Sequence, residues 1–368
     1  MIYLDSAATS MPKPPEVLLA VQNAMAHMGN PGRSGHEASI YASETMYACR
    51  CAAAALFQAS PEQVVFTMNT THGLNLAIHS LVRPGDRVVI SGFEHNAVLR
   101  PLRYCGAKIA VARGKLFDPQ STLDSFEKSL TKDTRAVVLC HVSNVFGYIQ
   151  PLKEIALRCR KMNVPLIVDA AQSAGIMPIS LRESGAAFIA VPGHKGLYGP
   201  MGTGLLLCGS VPEPLLQGGT GSLSKQLDMP DFLPDRVEAG TQNVPGAAGL
   251  LAGLEFVSKM GRETIAAHEQ ELKDYFAEEI SVVPGIKVFY GGEVQSGVIS
   301  IVSETVECME LGERIGRCGI AVRAGVHCAP LAHETAGTLN SGTVRISFSA
   351  FNTSEDVVRA VEAVKMCV

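Results

Sequence analysis

Between about residues 60 and 210, short apolar runs alternate with helical patterns, and no other feature of the chain restricts its fold as much. Val64–Phe66, Arg87–Ile90, Ile109–Ala112, Ala136–Cys140, Leu166–Asp169, Phe188–Val191 and Gly204–Leu207 read as strands. Gly73–Leu81, Thr122–Leu130 and Leu152–Lys161 carry helical spacing between them. Strands that are apolar on both faces need cover on both sides, so the pattern calls for an α/β fold, a mostly parallel central sheet covered by helices.

Past Gly218–Pro234, a Gly-, Ser-, Asp- and Pro-rich stretch that reads as a long mobile loop, the pattern changes. Ala247–Met260, Glu263–Ile280 and Ser354–Met366 read as helices, and Val298–Val302 and Val344–Phe348 as half-buried strands. At 368 residues the chain exceeds what one core ordinarily supports. Two domains are expected: a large one over 15–245 and a smaller α+β one over 246–368, completed by residues 1–14. A net charge of −4 gives no electrostatic case for nucleic acid or an acidic membrane as a partner. No stretch approaches a membrane span, and Met1–Asp5 shows neither a basic region nor a signal core, so a cytoplasmic address is expected. The ten cysteines are scattered without a C-x-x-C pair, which argues against a disulfide scaffold and against structural zinc.

Chemistry gathers at the strand ends. Lys195 follows a buried-type strand in Val191-Pro192-Gly193-His194-Lys195-Gly196. A lysine taken out of water loses its proton at modest pH and can form an imine with a carbonyl cofactor. Asp169 closes another strand, where parallel sheets deliver ligand groups, although an acid there could equally cap a helix or bind a metal. A carboxylate beside a pyridine nitrogen shifts its pKa by about 1–3 units and keeps it protonated. Asn69-Thr70-Thr71-His72-Gly73 runs from a strand into a helix, a seat for phosphate. His95 lies just past another strand end and could lie flat over an aromatic ring.

Asp5-Ser6-Ala7-Ala8-Thr9, Thr70-Thr71, Glu94-His95-Asn96, Val168-Asp169-Ala170-Ala171-Gln172, Gly193-His194-Lys195, Glu238-Ala239-Gly240-Thr241 and Arg323-Ala324-Gly325-Val326-His327-Cys328 occur in that order. The set resembles the class V aminotransferase-like, fold-type I pyridoxal phosphate enzymes. Within them it is most similar to the cysteine desulfurases and selenocysteine lyases with a short loop before the reactive cysteine.

The resemblance implies pyridoxal 5′-phosphate bound through Lys195, with Asp169 on the pyridine nitrogen, His95 on the ring face and Gln172 on the phenolic oxygen. Thr70, Thr71 and His194 would hold the phosphate, joined by Thr241 from the second subunit of a homodimer. Asn144 would lie near ring and substrate, Arg345 would grip the substrate carboxylate, and His36 would sit at the rim. Cys328 would take sulfur from L-cysteine, or stand aside for L-selenocysteine, with His327 and Arg323 as neighbours that favour its thiolate. A short loop at Cys328 implies a sulfur-acceptor carrier protein. Pro192, Gly196, His72 and Val326 depart from the common pattern. The rival expectations are an aminotransferase or another amino-acid lyase on the same cofactor, and a non-catalytic sulfur-transfer scaffold.

Overall fold

The computed structural model describes residues 1–32 and 34–368. The chain opens with β1 (Ile2–Tyr3), α1 (Pro15–His27) and α2 (Glu37–Phe57). Next come β2 (Val64–Thr67), α3 (Thr70–Leu81), β3 (Arg87–Ser91), α4 (Asn96–Tyr104), β4 (Lys108–Ala112), α5 (Pro119–Ser129) and β5 (Thr134–Cys140). They are followed by α6 (Leu152–Lys161), β6 (Leu166–Asp169), α7 (Leu181–Ser184), β7 (Phe188–Pro192) and β8 (Gly204–Cys208). The remainder holds α8 (Val244–Met260), α9 (Arg262–Ser281), β9 (Ile286–Phe289), β10 (Val298–Ser303), α10 (Cys308–Arg317) and β11 (Ile320–Ala321). It ends with β12 (Arg323–Gly325), α11 (Pro330–Ala336), β13 (Thr343–Ser347) and α12 (Ser354–Cys367).

All the strands expected between residues 60 and 210 join one seven-stranded sheet in the order β2-β8-β7-β6-β5-β3-β4. Pairing is parallel from β7 to β4, whereas β8 runs antiparallel to both β7 and β2. Since β8 reverses twice, β2 points the same way as β7. The C-terminal ends of β2, β3, β5, β6 and β7 therefore open on one edge of the sheet, where such folds bind ligands. Every residue of β6 and β7 is buried, as strands covered on both faces must be.

A second, four-stranded antiparallel sheet, β12-β13-β10-β9, packs against α9, α10 and α12 around Phe276, Leu311, Ile299 and Val344. The N-terminal residues join this core: β1 pairs with β11, and Ile2 and Leu4 are buried in it. Helix α8 packs on α1 and α2, and its Leu250 and Leu254 belong to the core of the large sheet. Residues 218–234 form neither helix nor strand. Among the described residues no helix is long and apolar enough to cross a membrane.

Candidate active site

Thr70, Thr71, His95, Asn144, Asp169 and Gln172 line one cavity of about 480 Å³ together with His194, Lys195, Cys328 and Arg345. It opens at the shared edge of the large sheet. Asn69 caps α3 by accepting from the His72 amide (3.0 Å), so Thr70 and Thr71 are the first helical residues. Their amides have no partner within the helix, and both residues line the cavity at the positive end of the helix dipole. The helix begins earlier than Gly73, where the sequence pattern alone puts it.

Asp169 ends β6, almost wholly buried, and its Oδ1 accepts from the Ala171 amide (2.9 Å). It caps no helix. Burial raises its pKa, while the Ala171 amide and the Lys195 ammonium pull the other way. Lys195 follows β7, is half-buried and lines the cavity. Burial lowers its pKa to about 8 against the opposing pull of Asp169, with Arg345 adding to the depression. A sizeable share of the amine is unprotonated at mildly alkaline pH.

The backbone around Lys195 is clamped from the N-terminal segment. The Ser10 amide and hydroxyl, the Thr9 hydroxyl and Lys13 Nζ all donate to the His194 carbonyl, at 2.8–3.1 Å. Ser10 Oγ also lies 3.0 Å from the Lys195 carbonyl. Gly196 backs onto the Ala174 carbonyl so closely that a Cβ there would collide with it, which accounts for glycine at this departure from the common pattern.

His95 caps α4, its Nδ1 accepting from the Ala97 amide (3.0 Å). Burial, then Lys195 and Arg100, hold its pKa down to about 4, so the imidazole is neutral with its proton on Nε2. Beneath it, Glu94 is fully buried and its Oε1 accepts from the Ser91 hydroxyl (2.6 Å) and the Cys140 amide (2.8 Å). Burial raises Glu94 to about 8, leaving it a neutral acid at neutral pH.

Cys328 and Arg345 come from the smaller sheet. Arg345, in β13, donates to Asp5 Oδ1 (2.6 Å) and to the Asn144 carbonyl (2.9 Å), and Arg323 reaches the other Asp5 oxygen (3.1 Å). Asp5 thus fixes the guanidinium plane. His327 and Cys328 both hold left-handed backbone (φ 50° and 56°) at about 1 kcal/mol or more each. Two bonds from the large body pin that turn: Asn144 Nδ2 to the His327 carbonyl and the Asn96 amide to the Cys328 carbonyl, both 2.8 Å. Cys328 is exposed, which removes the alternative of an inert core thiol. His327 is buried against His333, and burial followed by Arg345 lowers its pKa to about 3. At neutral pH it carries no charge to lend to the thiol, contrary to the expectation from sequence.

Two expected residues do not reach this cavity within one chain. His36 is exposed and uses its ring to cap α2, accepting from the Ser39 amide (3.2 Å). Thr241 is exposed in the segment between β8 and α8 and lines a separate cleft beside Glu238. Glu238 forms a buried bidentate pair with Arg50 (2.9 and 2.6 Å), which anchors that segment to the sheet edge. Asp5, Lys13 and Glu94 have places in this architecture that no residue-type pattern singles out. Only the recurrence of Asp5 and Glu94 inside the quoted motifs could have flagged them.

The family model described as "Aminotransferase class-V" matches residues 2–359. The chain is 32% identical to a probable cysteine desulfurase of Methanothermobacter thermautotrophicus, over 97% of this chain and 92% of that one. It is 35% identical to a cysteine desulfurase of Shigella sonnei, over 98% and 92%. A cysteine desulfurase structure from Thermococcus onnurineus is similar with a TM-score of 0.89 at 29% identity, covering 99% of this chain and 94% of that one. One from Escherichia coli gives 0.88 at 28%, with the same coverage.

Proposed function

Taking as premise that the chain belongs to the class-V aminotransferase family, we propose that it is a pyridoxal 5′-phosphate-dependent cysteine desulfurase, converting L-cysteine to L-alanine with a persulfide on Cys328. The observation that carries this reading is an exposed thiol lining the same cavity as a half-buried lysine and a buried carboxylate.

The cavity's donors fit the cofactor. Asn144 Oδ1, His194 Nδ1 and Arg345 Nε are buried without a partner in the protein, so a polar ligand is needed to satisfy them. Thr70 and Thr71 at the start of α3, with His194, would hold the phosphate. Asp169 would face the pyridine nitrogen, Gln172 the phenolic oxygen, and Lys195 the carbonyl carbon. His95 would cover the ring face. When bound, the cofactor supplies an electron sink that makes the substrate α-proton acidic.

Arg345, with its plane set by Asp5, binds the substrate carboxylate through the donors it has left, and Asn144 lies beside it. Lys195 Nζ would remove the α-proton and is the base best matched to mildly alkaline pH. Cys328 Sγ attacks the substrate sulfur: the new S–S bond forms as the substrate C–S bond breaks. The substrate carbon keeps that electron pair and takes a proton to give alanine. A selenium substrate would leave more readily and depend less on Cys328.

The reading extends to a homodimer, which would carry Thr241 and His36 of each copy toward its partner's cavity. It is supported by the exposed apolar side chains of α1 and α2, Leu18 (61%), Leu19 (62%), Met25 (74%) and Tyr47 (57%). The persulfide sulfur would pass to an acceptor, for which the short turn at Cys328 suits a carrier protein. Ten free cysteines agree with a reducing, cytoplasmic setting.

Alanine release from cysteine and selenocysteine, assayed side by side with keto-acid formation, tests the reading. Alanine with a cyanolysable persulfide is the expected result, whereas keto acid without alanine would move the chain to the aminotransferases.

A further inference from the structure

Cys328 lines two cavities. Beyond the one just described, a groove of about 460 Å³ runs along the outer sides of α3 and α4, sharing Thr71, His95, Ala97 and Cys328 with it. Its own walls add Asn75, His79, Arg100 and Tyr104. Among the described residues its lining holds no Asp or Glu, and Arg100 stands exposed on α4. The charge of Arg100 is felt at the reaction centre, since it is among the groups that keep His95 neutral. Asn75 is anchored by its Nδ2 on the Thr71 carbonyl (2.8 Å) and, with Asn96, brings a side-chain amide to the groove that holds Arg100. A single exposed cation in a wall without carboxylates sets a local positive potential at the mouth of the thiol.

We infer that this groove is a second acceptor site, beside the route to a carrier protein, and that it takes a low-molecular-weight thiol bearing a negative charge, with Arg100 binding the acceptor's anionic group. The inference rests on the desulfurase reading. Substrate and acceptor then reach the sulfur from opposite sides, so neither has to leave before the other enters. The volume is that of a small-molecule site. In the transfer step the acceptor thiolate attacks the outer sulfur of the Cys328 persulfide. The S–S bond to Cys328 breaks, Cys328 leaves as thiolate, and the acceptor becomes the persulfide. One disulfide-level bond replaces another, so no oxidant or reductant is consumed.

The test uses the holoenzyme loaded with sulfur by one equivalent of cysteine and then desalted. Cyanolysis follows the loss of the Cys328 persulfide on mixing with 2-mercaptoethanol, which is neutral, or with mercaptosuccinate, which is anionic. Comparing each thiol between wild type and variant cancels its intrinsic reactivity. Arg100→Gln should lower the mercaptosuccinate rate relative to the 2-mercaptoethanol rate about fivefold, as one partly screened ion pair would. Asn75→Asp, which adds a like charge to the groove without touching Arg100, should lower the same ratio, and both effects should shrink at about 0.5 M salt. A ratio unchanged in both variants overturns the inference, and so does persulfide that neither thiol discharges, the result expected if only a protein acceptor works. Failure to form alanine and persulfide in the loading step would instead remove the desulfurase reading itself.

Discussion

The two ends of the central cavity are built on opposite principles. At the lysine end, Asp169 and Glu94 are buried and Lys195 half-buried, at or just past strand ends of the large sheet, with their proton affinities shifted by burial. At the cysteine end, Cys328 is exposed on a left-handed turn from the smaller sheet, held by two hydrogen bonds from the large body. The first end needs a fixed, dry environment, because burial is what frees the amine of its proton. The second must be reached from outside, because sulfur has to leave. A single cavity can serve both only by drawing its ends from two different sheets.

Substitutions at each end should sharpen that contrast. Lys195→Ala should cut alanine release by at least about 10⁴-fold. Borohydride should attach the cofactor covalently to the wild type and not to this variant; attachment in both would place the amine elsewhere. Cys328→Ser should reduce alanine release from cysteine by about 10³-fold while borohydride attachment stays intact. Comparable losses of cofactor attachment in the two variants would erase the distinction drawn here.

Asp5→Asn tests the seam between the ends. It deprives the buried Arg345 guanidinium of its ionic partner, and urea unfolding should show a loss of about 3 kcal/mol. Glu94→Gln probes the dry end by pH. The folded-state pKa of Glu94 lies near 8, above its ordinary 4.5, so the folded protein holds the extra proton between these values. The stability this contributes is fully present below about pH 4.5 and is lost as pH rises through 8. Glutamine keeps the acceptor for the Ser91 and Cys140 donors without this titration. Relative to wild type the variant should therefore gain on the order of 4 kcal/mol between pH 5 and 9 by urea unfolding. Parallel curves for the two proteins would show that Glu94 is ionised throughout.

The strands were legible because burial on both faces leaves uninterrupted apolar runs, and the chemistry at their ends followed from the direction of the sheet. The reversal of β8 was not, since Gly204–Cys208 reads alike in either direction. Nor could the pattern show that His327 is neutral, because its burial depends on His333 from α11 packing over it. Arg100, one arginine on an amphipathic helix, looks in sequence like any solvated charge. The apolar runs say nothing of the Asp5–Arg345 pair, because its members stand 340 positions apart.

That separation has a consequence for how the molecule is made. Asp5 is translated 340 residues ahead of its guanidinium partner. The large sheet can assemble while the chain is still growing, but the grip for a carboxylate cannot, and so distant a contact is entropically slow to close. The Arg345 guanidinium is therefore set in its plane only after both sheets have formed and come together.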